Sequence, residues 1–239
     1  MPVLIVVAHP DDEVLGCGAW AAALASSMEV RTCFVAAYAN ARHDRPDLRD
    51  FAEDIRTAQR ILGLQEPIYG SFPNLELNTV PHRHLVEFME SVIERTKSDI
   101  IFTHHPCDLN DDHRHTSLAC QAAARLFQRK PNTGRLRALY YMEILSSTDW
   151  SFPGYGDGFR ADTFVEIGSE FLERKIKALR AYRGVMRPYP HPRSEENVRA
   201  QAAYRGGQAN LNLAEAFQTA HRALTVGEMC KGQVCTGGI

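Results

Sequence analysis

Residues 3–18 read VLIVVAHPDDEVLGCG, and this stretch decides the class of the fold. Five aliphatic residues, most of them β-branched, run up to an alanine and then to His9 and a proline, and a helix-like pattern follows. An apolar run that stops at a proline before a helix predicts a buried parallel strand and a turn. In open α/β sheets, ligands bind at the carboxyl ends of the strands. His9 and the carboxyls of Asp11, Asp12 and Glu13 therefore lie where chemistry is expected.

The rest of the chain continues the alternation of strands and helices. Residues 30–37, 99–103 and 137–145 predict further strands. Apolar residues at helical spacing predict helices over residues 16–27, 51–62, 81–97, 116–127, 170–183 and 195–204. The segment 188–194, PYPHPRS, is predicted to be extended because its three prolines exclude a helix. No repeat or linker divides the sequence, so we expect a single α/β domain over residues 1–239 with a mostly parallel sheet.

Composition excludes several classes of protein. The chain has 239 residues, 44% of them hydrophobic, and a formal net charge of −2, so a basic face for nucleic acid is not indicated. The first apolar run is too short to span a bilayer and has no charged region before it, so neither a targeting nor a membrane segment is predicted. Six cysteines without a signal segment are typical of reduced thiols in the cytoplasm. The aromatic-rich residues 150–155 could form a contact between copies of the chain or a pocket wall, which leaves a homo-oligomer open.

A second polar cluster follows the predicted strand 99–103. Residues 104–113 read HHPCDLNDDH. Because the carboxyl ends of parallel strands meet at one edge of a sheet, this cluster and the first motif are expected to share a site. For His104 and His105, a pocket wall and a hydrogen-bonded core position both stay open.

His9, Asp12 and His113 form a donor set suited to catalytic zinc, which takes three protein ligands and leaves one position open. A spacing of three lets His9 and Asp12 reach one ion from a tight turn, and a ligand from the distant strand completes the set. Zinc lowers the pKa of its water to about 7, and Asp11, a carboxyl outside the set, is placed to accept the proton. The alternative is that the histidines only form hydrogen bonds and that the Asp pair caps the following helix.

The two motifs, AHPDDE at 8–13 and HHPCDLNDDHRHT at 104–116, resemble those of the PIG-L/LmbE-like family of zinc-dependent N-deacetylases. YYMEILSSTDW at 140–150 and PHPRS at 190–194 look like later blocks of one bacterial branch of that family. The resemblance therefore covers nearly the whole chain, and it implies a Rossmann-like three-layer sandwich.

Carried over position by position, the resemblance implies a role for each residue of the two motifs. His9, Asp12 and His113 are implied to bind zinc, and Asp11 is implied to be the general base. Glu13, which closes the first motif, is expected to support the ligand turn.

Asn110 is the main departure from the family pattern. Many family members have a histidine three residues before the last zinc ligand, where it stabilises the oxyanion or protonates the leaving amine. An asparagine can donate a hydrogen bond to an oxyanion but supplies no proton at neutral pH. His191, in PHPRS, is our replacement candidate, and the alternative for it is that it only orders a proline-rich loop.

The implied reaction is hydrolysis of an acetamide on an amino sugar, such as an N-acetylglucosamine-type glycoside or a nucleotide sugar, to a free amine and acetate. Arg42 and Arg193 are predicted to bind sugar hydroxyls or a phosphate, with a surface position as the alternative. Two other functions stay open: a sugar-binding relative that has lost catalysis, and a metal-dependent hydrolase of another bond. Retention of Asp11 with all three candidate ligands argues against the non-catalytic relative. The spacing of acidic residues indicates no additional metal set, which argues against a hydrolase of another bond.

Overall fold

The opening apolar run forms strand β1, Val3–Val7, which is buried at all five positions. It lies inside the sheet and pairs in parallel with β2, Val30–Phe34, on one side and with β4, Ile100–His104, on the other. Alternate side chains of β1 pack into two separate cores, one on each face of the sheet. A strand covered on both faces has no polar side, which explains why its sequence is apolar throughout.

The computed structural model describes residues 2–37, 48–130, 133–152 and 156–229. Within these ranges the sheet has seven strands in the order β3-β2-β1-β4-β5-β7-β6. The other strands are β3 Gln65–Tyr69, β5 Ala138–Met142, β6 Thr163–Glu166 and β7 Ala214–Arg222. The helices are α1 Asp12–Leu24, α2 Leu48–Leu62, α3 His82–Thr96, α4 Asp111–Ala123, α5 Ser169–Ala181 and α6 Glu195–Gln208.

Helices cover both faces of the sheet. Helices α1, α2 and α5 pack on one another on one face, and α3 packs on α4 on the other. The prediction of a single α/β domain with three layers and a mostly parallel sheet is confirmed. None of the helices in the described ranges is both long and apolar enough to cross a membrane.

The far edge of the sheet differs from expectation. Strand β7 runs antiparallel between β5 and β6, and β6 occupies residues to which the sequence pattern assigned no strand. β6 has four residues, none of them fully buried, so it lacks the continuous apolar run that marks the parallel strands. Strand β5 is also shorter than the predicted 137–145.

Both helices that follow the polar motifs begin earlier than predicted. Helix α1 starts at Asp12 and α4 at Asp111, with acidic side chains in each first turn. Carboxylates favour a helix N-terminus, where they face the positive end of the macrodipole. Asp12 and His113 therefore lie on helices, whereas His9 and Asp11 lie in the turn before α1.

The PYPHPRS segment is not extended, contrary to prediction. It bends into turns in which the His191 N–H donates to the Pro188 carbonyl at 3.1 Å and the Ser194 N–H donates to the His191 carbonyl at 2.9 Å. Prolines fix φ near the value that turns also use, so excluding a helix did not by itself establish an extended chain.

Helix α1 is interrupted by a buried ion pair. Its backbone leaves helical geometry at Cys17, with φ −151° and ψ 22°. The Leu15 carbonyl there accepts a hydrogen bond from Lys175 Nζ at 2.8 Å, and two backbone N–H groups beyond the break donate to the Glu215 carboxylate at 3.1 and 2.7 Å. Lys175 and Glu215 lie 2.7 Å apart. The pair satisfies backbone groups that the interrupted helix leaves without partners, and so it fixes the helix that carries Asp12.

Candidate metal centre and active site

The structure brings His9, Asp12 and His113 together at the carboxyl edge of the sheet. His9 follows β1, Asp12 begins α1 and His113 lies in the first turn of α4. Asp12 Oδ2 lies 3.3 Å from His9 Nδ1 and 3.2 Å from His113 Nε2. One donor atom from each residue lies within 4.8 Å of the others, and all three residues are buried. This cluster, called the HDH cluster below, could hold one metal ion.

The second nitrogen of each histidine faces a carboxylate. His9 Nε2 lies 2.8 Å from Asp112 Oδ2, and His113 Nδ1 lies 3.2 Å from Asp108 Oδ1. A carboxylate only accepts, so these two nitrogens carry protons, and His9 Nδ1 and His113 Nε2 are the atoms that would bind an ion once it displaced the protons they share with Asp12. Histidine ligands of metals typically donate their other N–H to a carboxylate in this way. The donor chemistry of the HDH cluster therefore fits a metal site.

Asp112 and Asp108 are themselves held by hydrogen bonds. Asp112 accepts the backbone N–H groups of Leu75 and Leu77 at 2.6 and 3.0 Å. Asp108 accepts the Thr148 hydroxyl at 2.6 Å and also the Ser147 hydroxyl. The orientation of both histidines is thus fixed by backbone N–H groups of Leu75 and Leu77 and by hydroxyls of the segment after β5.

Charges are strongly coupled in the HDH cluster. Burial lowers the pKa of His113, but Asp12 and Asp108 outweigh it and raise that pKa to about 10. Burial raises the pKa of Asp12, but His113 and His9 hold it well below its usual value. Burial lowers the pKa of His9, yet hydrogen bonds to Asp112 and Asp12 give a net increase. Protons on the histidines therefore supply the positive charge that a bound cation would replace.

His104 lies beneath the cluster as a neutral ring. Burial and the neighbouring His113 lower its pKa to about 3, and its Nε2 accepts the Ala8 N–H at 2.8 Å. The ring stacks on His113 with centroids 3.8 Å apart. His104, Asp108 and His113 also bring donor atoms within 4.8 Å of one another, but Asp108 is already engaged by two hydroxyls. His104 therefore packs behind His113.

Asp11 lies in the turn between His9 and Asp12, the two candidate ligands of the first motif. Its backbone adopts φ 109° and ψ −28°, in the left-handed region, and it is 1% exposed. Glu13 fixes the turn, since its Oε2 accepts the Asp11 N–H at 3.0 Å. Glu13 Oε1 accepts from Gln59 at 3.0 Å and from the Tyr182 hydroxyl at 2.7 Å. Burial, and to a smaller extent the charge of Asp11, raise the pKa of Glu13 to about 8.

Arg193 contacts Asp11 from a distant part of the sequence. Its Nη1 lies 3.5 Å from Asp11 Oδ2, and its Nε donates to the Ser146 hydroxyl at 2.6 Å. His191, two residues earlier, is exposed, and its Nδ1 accepts the backbone N–H of Arg193 at 3.0 Å. The roles predicted for His191 in catalysis and for Arg193 in substrate binding stay predictions.

Asn110 caps helix α4. Its Oδ1 accepts the Asp112 N–H at 2.9 Å, and its own N–H donates to Asp108 at 2.8 Å. The oxygen of the side chain is thus committed to the helix start, and any donation to a substrate would come from the amide nitrogen. Arg42, the other predicted substrate residue, lies outside the described residues.

The sequence predicted that His9, Asp12 and His113 lie together, but it assigned no role to the residues that hydrogen-bond the two histidines. Asp108 and Asp112 stood in the quoted polar cluster, and their proximity to His113 was the available signal. Ser147 and Thr148 carry no comparable signal, because a hydroxyl in a loop is common.

Residues 4–124 match the sequence profile of the PIG-L family, described as GlcNAc-PI de-N-acetylase, and the chain belongs to this family. It is 31% identical over 190 residues to the uncharacterized deacetylase YaiS of Escherichia coli (strain K12), covering 76% of this chain and 90% of that protein.

Two solved structures share the fold at 18% identity and a TM-score of 0.71. One is the N,N′-diacetylchitobiose deacetylase of Pyrococcus horikoshii, with 91% of this chain and 83% of that chain covered. The other is GalB, the 4-carboxy-2-hydroxymuconate hydratase of Pseudomonas putida KT2440, with 94% and 98% covered. The fold alone therefore does not decide the reaction.

Proposed function

We propose that this chain is a zinc-dependent hydrolase that removes the N-acetyl group from a small molecule containing an amino sugar, releasing acetate and a free amine. N-acetylglucosamine-type glycosides and nucleotide sugars are the proposed substrates. The observation that carries the proposal is the HDH cluster with Asp11 in the same turn. Membership of the PIG-L family and the deacetylase relatives support it.

Zinc is proposed because two imidazole nitrogens and one carboxylate oxygen form a three-ligand set of the kind that catalytic zinc uses. A divalent ion held there would act as a Lewis acid towards the acetyl oxygen and make water at the site a stronger acid. Asp112 and Asp108 keep His9 and His113 in the ligating tautomers.

The side chains then have distinct tasks. Asp11 accepts the proton of the water that attacks the acetyl carbon, and it returns that proton to the nitrogen as the C–N bond breaks. Water is consumed, acetate and amine are formed, and Asp11 ends as it began. General base catalysis of this kind contributes typically about 10²–10⁴-fold. Asn110 and His191 stay proposed donors to the developing oxyanion.

Substrate contacts are proposed for Arg42 and Arg193, whose planar donors suit sugar hydroxyls or a phosphate. Three other statements stay predictions: that the protein is cytoplasmic, that it forms a homo-oligomer, and that it binds a small molecule and neither nucleic acid nor a membrane. Because a structure with this fold carries a hydratase activity, the bond that is cleaved has to be identified directly.

The test is acetate release by the zinc-loaded chain from N-acetylglucosamine, N,N′-diacetylchitobiose and UDP-N-acetylglucosamine. We expect release from at least one substrate and its loss in Asp11→Asn with zinc retained. Asp111→Asn is the matched control, because that carboxyl lies in the second motif with its side chain 45% exposed. Undiminished release by Asp11→Asn would exclude Asp11 as the base, and no release by the wild-type chain would exclude this substrate class.

A further inference from the structure

Arg193 is a partly buried cation beside the proposed base, and the proposed deacetylation gives it no role beyond substrate binding. Its side chain is 13% exposed and that of Asp11 is 2% exposed. The two residues lie far apart in the sequence. A guanidinium stays charged at every physiological pH, so this contact places a permanent positive charge at the Asp11 carboxylate.

The loop that carries Arg193 is fixed on both sides. The Arg193 N–H donates to His191 Nδ1 at 3.0 Å, and the Arg193 carbonyl accepts the Arg187 N–H at 3.3 Å. Ser194, the next residue, is fully buried and caps α6 by accepting the Asn197 N–H at 3.2 Å. The backbone beneath the guanidinium is therefore held before any substrate binds.

The guanidinium itself is held between two partners. Its Nε donates to Ser146 Oγ at 2.6 Å, while Nη1 faces Asp11 Oδ2 at 3.5 Å. Ser146 adopts φ 67°, in the left-handed region, just after β5. The Arg193 guanidinium is planar, and the bond from its Nε–H to Ser146 prevents free rotation. The position of Nη1 relative to Asp11 is therefore defined. Lysine has a single ammonium and cannot hold both contacts with the same geometry.

We propose that Arg193 is a positioning residue for Asp11: it fixes the carboxylate that accepts the proton, and Ser146 fixes Arg193. His191 then serves to hold the Arg193 backbone. This inference rests on the proposed function, because it takes Asp11 to be the base. Arg193 then acts on turnover through Asp11 and does not bind substrate, although the sequence predicted that it would.

The charge balance during the reaction supports this role. When Asp11 accepts the proton of water, its carboxylate becomes neutral and the negative charge passes to the acetyl oxygen. Arg193 keeps its charge throughout, so the proton transfer does not require a counter-ion to move into the site. Preorganised charge of this kind lowers the cost of reorganisation in the transition state.

The experiment compares Arg193→Met, Arg193→Lys and Ser146→Ala in the zinc-loaded chain, with acetate release measured over a range of substrate concentrations. Arg193→Met is expected to lower kcat by about 10²-fold, the loss that a misplaced catalytic group produces, with KM within about twofold of wild type. Arg193→Lys should recover only part of kcat, and Ser146→Ala should lose less than Arg193→Met. Arg187→Met is the control, since Arg187 is exposed on the same loop.

A raised KM with kcat preserved in Arg193→Met would overturn the proposal and return Arg193 to substrate binding. A further readout needs no turnover: the melting temperatures of Asp11→Asn, Arg193→Met and the double variant. We expect the shift of the double variant to differ from the sum of the single shifts, because residues in contact are not additive. If the wild-type chain releases no acetate, the proposed function fails, and this cycle still decides the pairing. Additive shifts would show that Arg193 does not hold Asp11.

Discussion

Replacing Lys175 with methionine is expected to destabilise the chain strongly, because it removes one half of the buried pair at the break in α1. Lys175 Nζ contacts Glu215 Oε1 at 2.7 Å and the Leu15 carbonyl at 2.8 Å, with both charged side chains about 5–6% exposed. Methionine keeps the apolar stem but leaves the Glu215 carboxylate buried without its cation. Breaking a buried pair in this way costs about 3–5 kcal/mol of unfolding free energy.

That loss is measurable by thermal unfolding. A chain of this size shifts its melting temperature by about 2–4 °C per kcal/mol, so Lys175→Met should melt roughly 6–20 °C below wild type. Lys177→Met is the matched control, since Lys177 lies on the same helix and is exposed. Adding Glu215→Gln to Lys175→Met should recover part of the loss, because it removes the unpaired charge and keeps an oxygen for the helix N–H groups. Equal melting temperatures of the Lys175→Met and Lys177→Met variants would refute the reasoning.

Three further predictions concern the metal centre and the packing of α1. Asp108→Asn should weaken zinc binding about 10–100-fold, because it removes the carboxylate that orients His113. Asp111→Asn is the control and should leave zinc binding unchanged. Competition with a chelator measures the zinc affinity of both variants. Because the pKa of His113 is about 10 in the metal-free chain, zinc has to displace a proton from it at neutral pH, and the affinity for zinc should fall as pH falls. Calorimetry in two buffers with different ionisation heats should detect the released proton. Zinc binding without proton release would contradict the assignment of His113 as a ligand. Gly16→Ala should cost about 1–3 kcal/mol of stability, because its new methyl would lie 2.8–2.9 Å from Met142 and Ile144 side-chain atoms. Gly207→Ala, which has nothing within 4 Å, should not destabilise in the same unfolding experiment.

The central sheet and the meeting of His9, Asp12 and His113 could be predicted because both follow from local patterns. A continuous apolar run indicates a strand buried on both faces, as β1 is, and parallel strands carry their terminal residues to one edge. His9, Asp12 and His113 meet there for that reason.

The rest depended on contacts between distant segments that no local pattern encodes. Lys175 looks like an ordinary charged position on an amphipathic helix, yet it enters the core because α1 breaks opposite it. Arg193 lies two residues after the candidate His191, and the turns at 188–194 bring its side chain to Asp11. Strand β7 was not predicted as a strand because only its first four residues are buried and its partners run antiparallel.

The most direct test of the central claim is acetate release by one preparation of the wild-type chain in three states: as zinc-loaded protein, after removal of zinc with a chelator, and after zinc is restored. A metal held by His9, Asp12 and His113 predicts release that is lost on chelation and recovered with zinc. A metal-free chain that releases acetate at the zinc-loaded rate would contradict the account.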